Sequence, residues 1–482
     1  MRQMPEHSGT EHSGTEHSST KPREHHSAIP GLLASVAMFI VCMDTFITNV
    51  ALPTIEAELG GGMAAQQWVV DGYTLPFATL LLLAGNLSDR HGSKRVFAIG
   101  MGLFCAASLV CGLAGTIAML VFGRALLGVG AALVMPSSLA LIKEGYPDGP
   151  SRSKALAFWG IGGSVSTAVG PILGGILVPI HWSLTFLINV PFCLAILALV
   201  PRLKDSHTTR VPFDFVGQAL AIVGLGCFVG GIIQSGSDGL VGLPLVMLVI
   251  GVIAIGAFIW SQTRVAYPMM PLDMFGTRDM RMAMLGGFSM ILNWNGLVFM
   301  STLALQQHLG LSPFVSGMAF VPCAFTGVIG NLWSDRLIGG KGFRYALLVG
   351  FGCMLAGFAV LIAGSQGLTL AHVAIGTIVV GFGGAIGTPA LSALVLRCAS
   401  ANQGGIASAV FNTMRQVGGA LGVAVFGVYA TALPTFADGL TAAFATSFLL
   451  VVAMFAYALR SRDLGARQRA SQQPEQPTPR SR

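Results

Sequence analysis

Charge is scarce in this 482-residue chain: Asp, Glu, Lys and Arg together make up 10% of it, against about 25% in soluble globular proteins. So few charges exclude water as the main solvent of its surface, and a hydrophobic fraction of 53% agrees. Polar linkers that would divide a soluble chain of this length are also missing, and apolar stretches of about twenty residues follow one another almost without a break. The eight cysteines (Cys42, Cys105, Cys111, Cys193, Cys227, Cys323, Cys353 and Cys398) lack CxxC spacing and fall in or beside apolar runs. They read as small core residues, neither metal ligands nor disulfides. The loop GxxxxGK[ST] is absent, so nothing supports direct ATP drive. The apolar runs hold no nucleophile–base pair or ligand cluster, which argues against an enzyme.

What is present is a series of runs long enough to cross roughly 30 Å of hydrocarbon as helix. They cover 30–53, 66–87, 95–115, 117–141, 155–179, 182–201 and 214–235, then 241–260, 280–302, 313–333, 343–363, 369–392, 404–428 and 440–459. Helices are required because lipid offers the backbone no partners. The polar start, residues 1–28, repeats Glu-His-Ser-Gly-Thr and reads as a disordered His-rich cytoplasmic tail with no signal peptide; residues 461–482 read likewise as a tail.

The Lys and Arg residues explain the net charge of +7. Loops around Arg90, Lys143, Arg202, Arg278, Arg336 and Arg397 are basic, whereas the intervening ones, such as 54–65 and 429–439, hold no Lys or Arg. By the positive-inside rule this predicts fourteen spans with both ends cytoplasmic, and it assigns the charge to topology and anionic lipid, not to nucleic acid.

Two basic loops resemble each other. Gly85-Asn86-Leu87-Ser88-Asp89-Arg90, followed by Gly92 and Lys94, matches Gly330-Asn331-Leu332-Trp333-Ser334-Asp335-Arg336, followed by Gly339 and Lys341, with one extra residue in the second copy. Two similar halves in parallel orientation are a signature of transporters that rock about a midplane site. Other stretches are the first-span end Met43 to Pro53, Phe122 to Gly130 around an intramembrane Arg, Gly170-Pro171-Ile172-Leu173-Gly174-Gly175, Phe186 to Pro191 and Ala407 to Gly422.

Together these motifs resemble the major facilitator superfamily, and within it the fourteen-span branch of proton-coupled drug exporters that includes multidrug and methylenomycin-resistance proteins. The resemblance implies an all-α integral membrane protein, a six-helix bundle at 29–201 and a second at 280–460. Linkers at 202–212 and 263–279 flank two additional helices at 213–262. It implies a plasma-membrane antiporter that exports drugs, antibiotics or other small amphipathic compounds and is driven by the proton gradient without a cofactor. Export of a lipid or metabolite, or a sensor that keeps the fold without turnover, stays open. No metal and no nucleic-acid partner is expected, and a single copy is expected to suffice.

Few polar residues sit deep in the spans, where a charge needs a partner, water or a function. Asp44 and Arg124 are counted in from the same face and fall at nearly equal depth, roughly 12 to 14 Å. Asp44 is the expected proton carrier, and Arg124 is either its competitor or a static partner. Asp71, shallower in the second span, is either a second titrating group or a solvated one. Trp68 and Tyr73 are candidates for substrate contact or for an outer aromatic belt, Asn293, Trp294 and Asn295 for substrate contact or interhelical ties, and Arg415 for the cavity or for bonds to inner loops. Asp89, Arg90, Asp335 and Arg336 are read as gate latches, and Gly170, Pro171 and Gly174 as a gating seam.

Overall fold

The computed structural model describes residues 28–146, 149–206, 208, 213–400 and 403–461. The expected tails up to residue 27 and beyond residue 461 lie outside these described residues.

Among the described residues, fourteen helices follow the fourteen apolar runs. The first six are α1 (Ile29–Leu59), α2 (Gly62–His91), α3 (Ser93–Gly112), α4 (Ile117–Gly145), α5 (Gly149–Leu177) and α6 (Leu184–Arg202). Next come α7 (Phe215–Asp238) and α8 (Leu243–Gln262), then α9 (Arg278–His308), α10 (Pro313–Lys341), α11 (Phe343–Gly367) and α12 (Leu370–Cys398). The last two are α13 (Gly404–Ala432) and α14 (Phe436–Arg460). Most outrun the apolar runs, because helical hydrogen bonding continues into the polar ends. Thirteen are long and apolar enough to cross a membrane. The remaining one, α13, is 29 residues long but carries Asn412, Thr413, Arg415 and Gln416 in mid-course.

Duplication is visible in the packing. In the first half α1 packs on α5, α3 on α4, α2 on α4 and α3 on α6; in the second, α9 packs on α13, α11 on α12, α10 on α12 and α11 on α14. The correspondence extends to residues. Thr116 caps α4 and Thr369 caps α12, each accepting from the backbone N–H three residues on. Pro136 and Pro389 then fall equally far into those helices.

The repeated loops differ by more than the sequence suggests. α2 ends at Gly92 (φ +89°), but α10 runs past Gly339 and Gly340 to turn at Gly342 (φ +86°). Measured from Ser88 and Ser334, the turn comes four residues later in the second copy, about one helical turn. Asp89 and Asp335 therefore keep a common face while the second helix projects further.

Because the helices alternate in direction, α1 begins and α14 ends at one face, here called the terminal face. All Lys and Arg among the described residues lie toward it except Arg124 and Arg415. The additional pair does not stand apart from the bundles: α7 lies along the junction of α2 and α13. Leu75, Val229, Ile233, Ala420 and Ala424 form one buried cluster there, and Gln218 donates to the Thr79 carbonyl at 2.8 Å.

Candidate functional site

A cavity of about 420 Å³ lies between the bundles. Its wall runs from Val50, Pro171 and Thr302 to Met38, Trp159 and Asn331 nearer the terminal face. Toward the opposite face the bundles are pinned together. Gln67 on α2 donates to the Val423 and Ala424 carbonyls of α13 at 3.2 and 2.7 Å. A π turn, Ala304–His308, widens the end of α9 and carries Gln306, whose amide donates to the Val50 carbonyl at 3.0 Å. α5 and α10 touch where a side chain at Gly317 would strike the Pro171 carbonyl and one at Gly175 would meet Phe314. The cavity is thus shut on that side.

Asp44 and Arg124 meet as their depths imply. One Asp44 carboxylate oxygen pairs with Arg124 Nη1, and the other accepts from Asn189 Nδ2 at 3.1 Å. Arg124 Nε donates to the Val69 carbonyl at 2.8 Å, and its Cζ sits 4.6 Å from the Tyr73 ring centroid. A buried pair is retained only when such extra bonds offset its desolvation. The pair does not itself line the cavity. Its neighbours Val41, Thr45 and Tyr73 do, and the Tyr73 hydroxyl donates to the Val41 carbonyl at 3.1 Å.

The second half lacks this chemistry. Counted from their helix starts, Asn293 of α9 occupies the place of Asp44, and Thr377 of α12 that of Arg124. Asn293 is fully buried and donates to Ser289 of its own helix, so it stands off the cavity wall, unlike the substrate contact expected. Trp68 also differs from expectation: its ring lies against Gly230 of α7 instead of the cavity. Tyr73, Trp294, Asn295 and Arg415 do line the wall.

Gln67, Asp71 and Leu75 succeed one another at i, i+4 spacing on α2. Gln67 bonds α13 and Leu75 packs on it, so Asp71 faces the same seam. It is buried, and neither carboxyl oxygen has a hydrogen-bond partner among the described residues. Gly170 and Gly174 let α5 approach α1 within the first bundle, where Cβ atoms would meet Phe46 and Val50; Pro171 and Gly175 face α10 instead. Asp89, Arg90, Asp335 and Arg336 are exposed at the terminal face. Further along the first of these loops, Lys94 reaches Asp205 at 3.0 Å, and this ion pair lowers the Asp205 carboxyl below its ordinary range.

Sequence reading assigned no role to Gln67, Gln306, Asn189 or Gly317. An amide inside an apolar run was the available signal for Gln67 and Asn189, whereas Gln306 lies beyond the run 280–302. Which helix each would meet was not in the local sequence.

Two pseudo-repeated six-helix bundles around a central cavity define a membrane transport protein. The chain belongs to the Major Facilitator Superfamily, whose family model matches residues 34–423. Multidrug resistance protein Stp of Mycobacterium tuberculosis (strain CDC 1551 / Oshkosh) is 31% identical over 400 residues, 82% of this chain and 74% of that one. The methylenomycin A resistance protein of Bacillus subtilis (strain 168) is 31% identical over 404 residues, 82% and 86% of the two chains. The cephamycin export protein CmcT of Amycolatopsis lactamdurans is 35% identical over 428 residues, 82% and 83%. A crystal structure of a POT family transporter in complex with a thioalcohol-conjugated peptide shares the fold, with a TM-score of 0.69 at 12% identity over 90% of this chain and 96% of that one.

Proposed function

We propose that this chain expels a small amphipathic organic compound, a drug or antibiotic in the sense of its relatives' names, in exchange for protons. The terminal face, which collects the Lys and Arg residues, is cytoplasmic, and one copy of the chain is the working unit. The observation that carries the reading is the Asp44–Arg124 pair, buried one residue behind the cavity wall. A carboxylate so placed can exchange Arg124 for a proton when rocking admits water past Tyr73, and loading then depends on which compartment the cavity meets. Asp71, on the seam that must open when the bundles part, is a second proton site in this scheme.

One proton moving inward down 100 mV supplies about 2.3 kcal/mol, enough for roughly fifty-fold expulsion of a neutral compound in one-for-one exchange. The test is purified protein in liposomes with an entrapped pH indicator, challenged with a panel of amphipathic compounds. Proton movement that depends on the compound and is lost in Asp44→Asn supports the reading. Compound movement indifferent to an imposed pH gradient overturns it.

A further inference from the structure

Arg415 is the one charged side chain on the cavity wall; no Asp, Glu, Lys or His among the described residues joins it there. Its guanidinium is poorly served. Nε has no hydrogen-bond partner among the described residues, and Nη1 donates to Asn412 Oδ1 at 3.3 Å, long for a charge-assisted bond. The Phe411 ring centroid lies 5.7 Å from its Cζ. Arg124, the other described arginine away from the terminal face, has a carboxylate, a carbonyl and two aromatic rings. Arg415 forms no ion pair with a carboxylate among the described residues. A cation within the hydrocarbon zone needs a partner, water or a ligand, and this one borders the space where a ligand would sit.

The rest of the wall is neutral. Phe46, Phe77, Trp294 and Phe320 supply aromatic surface, and Thr45 and Asn295 supply neutral polar groups. We infer that the compound taken into this cavity is an organic anion, an amphipath whose carboxylate or similar oxyanion head pairs with Arg415 while its apolar body lies among those rings. A cationic compound would instead bring a like charge to Arg415 with no acid on the wall to balance it. The inference rests on reading the cavity as the substrate site.

Pyrenebutyrate and pyrenebutylammonium share an apolar body and differ in the sign of the head. Energy transfer from protein tryptophan, including Trp159 and Trp294 on the wall, reports their binding to the purified full chain. Wild type is expected to bind the anion at least about tenfold more tightly, the scale of one charge-assisted contact. Arg415→Lys should keep most of that preference. Arg415→Gln should erase it, as should Asn412→Asp, which sets a carboxylate beside the guanidinium without removing it. If Arg415→Gln fails to give monodisperse protein, Arg415→Lys and Asn412→Asp carry the test.

Undiminished anion preference in Asn412→Asp or a monodisperse Arg415→Gln overturns the inference, as does tighter binding of the cation by wild type. Compound-dependent proton movement with the cation alone would leave the export reading standing and overturn only this inference. Saturable binding of neither compound would overturn the inference, while the export reading would still stand or fall on the liposome panel.

Discussion

Arg124 on α4 ion-pairs with Asp44 on α1, and the two side chains are 1% and 0% exposed. Stranding either charge in the interior should therefore be costly. Arg124→Gln, which leaves the carboxylate with the Asn189 amide as its named remaining partner, is expected to lose about 3–5 kcal/mol of stability. Combining it with Asp44→Asn should recover part of that loss, since no net charge is then stranded. Thermal unfolding of the detergent-solubilised protein measures the coupling, and additive losses in the double variant would refute it.

Asp44→Asn alone separates binding from energy coupling. Because Asp44 does not line the cavity, the variant should bind pyrenebutyrate within about threefold of wild type, a difference under 1 kcal/mol. Its pH-driven efflux from vesicles should fall to the level of empty liposomes. Efflux that still follows the pH gradient would remove Asp44 from the coupling step.

At the face away from the termini, Gly317 lies directly against the Pro171 carbonyl. Valine there has nowhere to go unless α5 and α10 separate, and overpacking of this kind costs about 1–3 kcal/mol. If the contact closes the outer side, Gly317→Val shifts the population toward an outward-open form by about fivefold or more. A single cysteine at Thr302, in a chain whose native cysteines are replaced, should then react faster with a membrane-impermeant maleimide added outside. Unchanged labelling would mean that the contact does not gate the cavity.

Gln67 makes the analogous tie between α2 and α13 with two hydrogen bonds to backbone carbonyls. Each is worth about 1 kcal/mol net, so Gln67→Leu should raise the same Thr302 labelling by up to about thirtyfold while leaving the helix content measured by circular dichroism unchanged. Loss of helix content instead would show that the glutamine holds the fold and not the gate.

How much of this was legible in the sequence follows from what a bilayer conceals. Span number could be read because a run must be apolar for some twenty residues, and the gathering of Lys and Arg at one face because alternate loops hold none. The Asp44–Arg124 contact was legible as well, since both depths reduce to residue counts along straight helices. Helix facing was not. In water an amphipathic stripe tells core from solvent, but here lipid, core and cavity are alike in polarity, so Trp68 and Trp294 looked equivalent. The first proved to lie under α7 and the second in the cavity. Gly342 shows the same limit in a loop: two glycines precede it, and continued helix hydrogen bonding through Lys341 decides where the turn falls.

An anion at Arg415 changes the electrical account of transport. Exchanging one inward proton for one outward neutral compound moves one charge, whereas exchanging it for a monovalent anion moves two in the same electrical sense. With the cytoplasm negative, both steps are downhill, and 100 mV contributes roughly 4.6 kcal/mol, or about two thousand-fold accumulation, in place of about 2.3 kcal/mol and fifty-fold. Vesicles clamped at a series of potassium diffusion potentials with valinomycin should therefore show pyrenebutyrate reaching steady-state gradients whose logarithm rises with voltage twice as steeply as that of a neutral transported compound. Equal slopes would be the result if the compound left as its neutral acid, and Arg415 would then not be carrying a charged head through the cycle.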